Sequence, residues 1–113
     1  MSHIKFSSYI RFLNFTKVLE NKSGLDAIEK QLLDVVMLAD LNKREVLVGD
    51  LLLLSNIGSQ ATLHGRIKCL NEAGYVRLVS DAVDGRKKRV IPTKQALKYY
   101  DNLSKFLAKA VSV

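Results

Sequence analysis

The sequence predicts a mainly α fold with one small β-hairpin, an α+β arrangement, and three observations carry that prediction. Apolar residues recur at helical spacing at both ends of the chain and in two central segments. Only Tyr75–Val79 alternates in the manner of a half-buried strand, and a turn-rich segment from Ser80 to Gly85 leads straight into a second candidate strand, Arg86–Ile91. The length of 113 residues suits one domain spanning residues 1–113, with 48% hydrophobic and 26% charged residues, the balance of a chain that folds.

Taken in order, Phe6 to Leu19 reads as a helix whose apolar residues, Phe6, Tyr9, Ile10, Phe12, Leu13, Phe15, Val18 and Leu19, spread over more than one stripe. Asn21–Gly24 reads as a turn, with Ser23 and Asp26 at the spacing of a capping box. A second helix carries one stripe, Leu25, Ile28, Leu32, Val35, Val36 and Ala39, and ends before Asp40. Val46–Val48 reads as a short strand and Gly49–Leu54 as a brief helix, closed by a turn in which Gly58 supplies a positive φ. Ser59 caps a longer helix through Ala73, with Leu63, Ile67 and Leu70 inward. Gly74 stops that helix, the hairpin follows, Pro92 ends it, and Thr93 caps a last helix with Leu97, Tyr100, Leu103, Leu107 and Ala110 on its apolar face. A short helix, a tight turn and a capped helix ahead of a hairpin make a winged helix-turn-helix, flanked here by N- and C-terminal helices.

Charge points to the partner. Eighteen Lys and Arg against eleven Asp and Glu leave +7, and between residues 59 and 98 there are nine basic side chains against three acidic. Such a field attracts polyanions, duplex DNA first and an anionic membrane second. The membrane reading needs a helix with a strong basic face, and the first helix holds only Arg11 and Lys17. The longest apolar run, Val46–Leu54, is too short to cross a bilayer, and Met1–Lys5 lacks the pattern of a signal peptide, so the expected location is the cytoplasm. One cysteine excludes an internal disulfide, and Cys69, between Ile67 and Leu70, reads as a packed thiol, the alternative being a redox sensor beside the cations Arg66 and Lys68. His64 has no Cys, Asp or Glu at ligand spacing, there is no phosphate-binding glycine loop, and no nucleophile has its partners. The expectation is no enzyme, no metal and no cofactor.

From Val46 to Thr93 the order and spacing resemble the multiple-antibiotic-resistance regulator (MarR) family of bacterial transcription factors. The resemblance rests on Gly74-Tyr75-Val76, then Asp81-x-x-Asp84-x-Arg86, then Thr93. It implies a homodimer on double-stranded DNA, with Arg86 at the minor groove, Asp84 holding Arg86, and the terminal helices, 1–22 and 93–113, forming the dimer interface. Gly65 departs from the pattern, since an arginine or polar contact residue is common there, and at 113 residues the chain is shorter than typical members. A small-molecule effector is possible in such a protein, but no residue pattern here supports one.

The candidate DNA-binding residues are Ser59, Gln60, Thr62, His64, Arg66 and Lys68 on the recognition helix, and Asp84, Arg86, Lys87, Lys88 and Arg89 on the wing. Gln60 has the groups to read adenine and Thr62 to touch a thymine methyl or a phosphate, though both also suit any solvated helix start. The candidate dimer residues are Phe6, Phe12, Phe15, Leu19, Leu103 and Leu107. The alternative reading is a winged helix that serves as a protein-interaction module with little specific DNA affinity.

Overall fold

A computed structural model describes residues 6–112. They form α1 (Phe6–Ser23), α2 (Ala27–Leu41), α3 (Val48–Leu52), α4 (Gln60–Glu72), β1 (Val76–Ser80), β2 (Lys88–Pro92) and α5 (Lys94–Val111). The chain divides into two compact units, Asp26–Ala96 and a terminal unit made of α1 and the rest of α5.

In the central unit α2 packs on α4 and β2, while α3 packs on α4 and β2, and α4 on β1. The core is aliphatic: Leu32, Leu33 and Val36 from α2, Leu51 from α3, Leu63, Ile67 and Leu70 from α4, with Val76 and Val90 from the hairpin. Burying side chains of this size contributes roughly 1.5–3 kcal/mol each, which is why the stripe at Leu63, Ile67 and Leu70 fixes the inward face of α4. The strands are antiparallel, with Val76 opposite Pro92 and Ser80 opposite Lys88.

Caps set where the helices begin and end. Asp26, not Ser23, opens α2: its Oδ1 accepts the Glu29 N–H at 2.8 Å while Glu29 Oε1 accepts the Asp26 N–H at 2.9 Å. This capping box therefore lies three residues later than the sequence spacing suggested, because α1 runs on to Ser23 and the chain turns at Gly24, φ 71°. Helix α2 also extends past Ala39 to Leu41 and closes in a Schellman motif, with Lys43 N–H on Asp40 O and Arg44 N–H on Ala39 O. The same motif ends α4, where Gly74 N–H reaches Asn71 O and Tyr75 N–H reaches Leu70 O. Gly74 sits at φ 87° as a glycine should, whereas α2 forces Lys43 into φ 55°.

Other boundaries differ from expectation. Val46–Val48 is no full strand: it makes a single bridge, Leu47 to Arg89, and Val90 N–H donates to Val46 O at 2.8 Å. Helix α3 starts one residue early because Asp50 Oδ2 accepts the Leu47 N–H, and the positive-φ residues do not include Gly58. Strand β1 covers Val76–Ser80, and β2 begins only at Lys88 and includes Pro92, because residues before Lys88 are taken by the turn.

In the terminal unit, Phe15 of α1 stacks on Phe106 of α5 with centroids 5.8 Å apart, and Lys109 Nζ lies 5.4 Å from the Phe15 centroid. Arg11 donates to the carbonyls of Ala110 and Ser112, filling acceptors that the end of α5 leaves open. The inward residues of α5 are Ala96, Tyr99 and Ala110, while Leu97 and Leu107, assigned to its apolar face from sequence, are exposed. Helix α1 buries the polar Ser8 and Thr16 and leaves Phe6, Tyr9, Ile10, Leu13 and Val18 outside.

The two C-terminal caps make opposite predictions. Lys43→Gly relieves a left-handed conformation that costs an L-residue about 1–2 kcal/mol, so it raises stability by about 1 kcal/mol. Gly74→Ala imposes that cost and brings its Cβ to 2.8 Å from Gln95 Oε1, so it destabilises by at least as much. Urea unfolding of the three proteins side by side reads both signs.

Candidate nucleic-acid interface

Helix α4 begins with a working cap. Ser59 Oγ accepts the Thr62 N–H at 3.2 Å and also pairs with Thr62 Oγ1 at 3.0 Å. Both hydroxyls are thus held at the first turn, and Gln60 and Ala61 stand exposed beside them. At about 3.6 residues per turn, Leu63, Ile67 and Leu70 point inward, Gln60, His64 and Lys68 lie along one flank, and Thr62 and Arg66 along the other. His64 and Lys68 are exposed. Ala61 and Gly65 occupy the outward ridge, and nothing lies within 4 Å of the place a Gly65 side chain would fill.

Arg66 is not free. Its Nε lies 2.6 Å from Asp26 Oδ2, an ion pair whose N–H is not aligned as a hydrogen bond. Cys69 is exposed, contrary to the packed thiol expected from its neighbours, because the inward stripe passes through Ile67 and Leu70 and skips the position between them.

The wing is built by two aspartates. Asp81 Oδ2 accepts the N–H groups of Val83 at 3.2 Å and Asp84 at 3.0 Å, while Asp81 N–H donates to Lys87 O, which closes the loop. Asp84 Oδ1 then takes the N–H and the Nε–H of Arg86, each at 3.1 Å, and Asp84 Oδ2 takes Nη2 at 3.4 Å. The Arg86 side chain remains 91% exposed while its direction is set by this contact. Lys87 and Lys88 are exposed beside it; Arg89 is partly covered and faces Glu45, Nε to Oε1 3.6 Å.

Between α3, α4 and the wing runs an open groove of about 680 Å³. Its floor includes Leu52, Ile67 and Leu78, and its rim carries His64, Lys68, Arg86, Lys87 and Lys88. The structure therefore gathers five of the sequence candidates on one concavity and turns Arg66 and Arg89 to acidic neighbours. Asp26 and Glu45 were missed as partners; both are acids outside the basic stretch, and no local spacing links them to Arg66 or Arg89. Among the described residues no group of three His, Cys, Asp or Glu side chains is placed to hold a metal ion, and no helix is long and apolar enough to cross a membrane.

No family model and no curated protein matches the sequence. Solved structures do. A transcriptional regulator of Thermotoga maritima superposes with a TM-score of 0.68 at 18% identity, over 89% of this chain and 67% of its own. The heme sensor protein PefR of Streptococcus agalactiae, solved with heme, gives 0.62 at 14%, over 85% and 65%. A point mutant of MepR from S. aureus, bound to an oligodeoxyribonucleotide, gives 0.64 at 12%, over 93% and 79%. The fold is thus the one these structures share, a winged helix, mainly α with one hairpin.

The wing carries its own pH signature. The Asp84 N–H bond, helped by that of Val83 and by the charges of Arg89 and Lys87, holds the Asp81 carboxyl below its ordinary 3.8 against the opposing effect of desolvation. A depressed carboxyl stabilises the loop fully above pH 3.8, and that contribution is lost as pH falls through the lower folded value. A carboxyl-carbon NMR titration is expected to place Asp81 below 3.8, and Asp84→Pro, which removes the N–H, to bring it back up.

Proposed function

We propose that this protein is a transcriptional regulator that binds duplex DNA as a homodimer, with α4 in the major groove and the Asp84–Arg86 wing at the minor groove. The observation that carries the reading is the cationic concavity in which Lys68 of α4 and Arg86, Lys87 and Lys88 of the wing share one rim. A duplex offers phosphates on both sides of a groove, and long cations fixed at their bases are suited to contact them. Arg86, exposed and oriented by Asp84, suits a narrow A·T-rich minor groove with its enhanced negative potential. Ser59, Gln60 and Thr62 at the start of α4 supply polar groups where helix-turn-helix proteins meet base edges. A MepR mutant of the same fold was solved on an oligodeoxyribonucleotide, which supports DNA as the partner. The single-domain reading of residues 1–113, the cytoplasmic location and the lack of catalysis belong to the same proposal.

The rival reading, a protein-interaction module, draws on the bare outward ridge at Ala61 and Gly65. Duplex binding separates the two. Log K is expected to fall linearly with log salt, each neutralised phosphate contributing about −0.9 to the slope. Arg86→Ala weakens binding by roughly tenfold or more without loss of fold, Asp84→Ala less, and affinity unchanged by Arg86→Ala favours the rival.

The dimer proposal rests on α1. Phe6, Tyr9, Ile10 and Leu13 share an exposed face, next to the inward one occupied by Ser8, Phe12, Phe15, Thr16 and Leu19. Of the six residues nominated from sequence, Phe6 and Leu107 are exposed, whereas Phe12, Phe15, Leu19 and Leu103 are half-buried within one chain. Apolar surface of this extent calls for a cover, and a second copy supplies the same face about a two-fold axis. Ile10→Asp with Leu13→Asp is expected to shift sedimentation equilibrium at micromolar concentration from dimer to monomer with the helical circular dichroism retained; a wild-type monomer refutes the interface.

A further inference from the structure

Arg66 stands on α4 among the residues taken as DNA contacts, yet its guanidinium is turned to Asp26, with Nε 2.6 Å from Oδ2. Both side chains are about two-fifths exposed, 40% and 42%. Asp26 has a second duty, since its other oxygen caps α2 through the Glu29 N–H and its own N–H is held by Glu29, a buried side chain. One carboxylate therefore joins the first turn of α2 to the middle of α4. The C-terminal end of α4 is tied to Thr93 and Gln95, but along its length the grip is a narrow apolar stripe, Leu63, Ile67 and Leu70, which resists withdrawal from the core better than rotation about the helix axis. Arg66 lies on the flank of that stripe opposite His64 and Lys68, where a tether opposes such a roll.

We infer that the Asp26–Arg66 pair is a positioning clamp that fixes the roll of the recognition helix, and that Arg66 acts on DNA binding through this clamp and not by touching phosphate. The inference rests on the proposed duplex-binding function. A half-exposed ion pair adds little to stability, so its loss leaves the fold intact. Its effect on binding is larger because a rolled α4 misplaces the Ser59–Thr62 turn and the Lys68 side of the groove together.

The two roles for Arg66 predict opposite signs. Asp26→Asn keeps an effective helix cap and removes the charge. If Arg66 contacts phosphate, this variant frees it and strengthens binding, while Arg66→Ala lowers the magnitude of the salt slope by about 0.9 per site. If the pair is a clamp, Asp26→Asn and Arg66→Ala each weaken binding by about tenfold, the double variant is no worse than either, and the salt slope stays at its wild-type value. The measurement is fluorescence anisotropy with a duplex selected from a random pool, over a range of salt, well below the unfolding temperature of every variant. Tighter binding by Asp26→Asn, or additive losses in the double variant, overturns the clamp. Should the wild-type protein bind no selected duplex, the DNA reading fails by itself, and amide exchange then tests the clamp alone: faster exchange from Leu63 to Leu70 in Asp26→Asn supports it, and unchanged exchange overturns it.

Discussion

The arrangement of the central unit depends on how the chain reverses after α4. Gly74 turns there at φ 87°, and its carbonyl accepts the Thr93 hydroxyl at 2.5 Å, nineteen residues further on. The same Thr93 oxygen accepts the Ala96 N–H at 3.3 Å, its N–H donates to Tyr75 O, and Gln95 Nε2 donates to Ala73 O. The end of α4, the root of both strands and the start of α5 are thereby tied at one point. Because the hairpin is pinned at its base, with Val76 facing Pro92, its register is settled there, and the loop from 81 to 87 projects from the far end. Where the wing stands relative to α4 follows from a contact at the end of that helix, at the opposite end of the hairpin from the wing loop.

The eighteen Lys and Arg overstate the number of cations that a polyanion meets unpaired at this face. Arg66 and Arg89 turn their charge to Asp26 and Glu45, and Arg86 is paired with the aspartate that aims it. The available set is small, with Lys68, Lys87 and Lys88 beside Arg86 around the groove. An aimed arginine still exceeds a free one in value, since its side-chain entropy is lost before contact rather than on contact. The wing exchanges raw charge for direction.

The fold was legible wherever one residue had one job. Gly74, Ser59 and Thr93 announce helix ends through backbone conformation and capping chemistry, and all three do what their types require. The Asp81-x-x-Asp84-x-Arg86 run is equally local, so its loop was readable as a unit. Legibility fell where competition between neighbours decided the outcome. Ser23 and Asp26 both suit a cap, and Asp26 prevailed because Glu29, three residues on, returns its hydrogen bond. The terminal helices failed for a related reason: α1 offers apolar residues around most of its circumference, and period alone does not say that Ser8 and Thr16 turn inward while Ile10 stays out. Arg66 and Arg89 lay beyond reach because their partners are distant in sequence.

The composition of α4 bears on how discrimination would arise. With Ala61 and Gly65 on its outward ridge, the middle of the helix has no side chain long enough to read a base edge. Hydrogen-bonding capacity is confined to the first turn, at Ser59, Gln60 and Thr62, and to the His64 and Lys68 flank. Each good bidentate contact discriminates by about 1–3 kcal/mol, so one short turn per subunit supports only modest sequence preference. A single chain would therefore be a weak reader. Two chains on a two-fold axis double those contacts and add a requirement that costs no side chain, the separation of two half-sites by about one helical turn. Selectivity would then rest on the rigidity linking the two reading heads, and a recognition helix with a bare ridge would have the greater need of elements that hold its orientation.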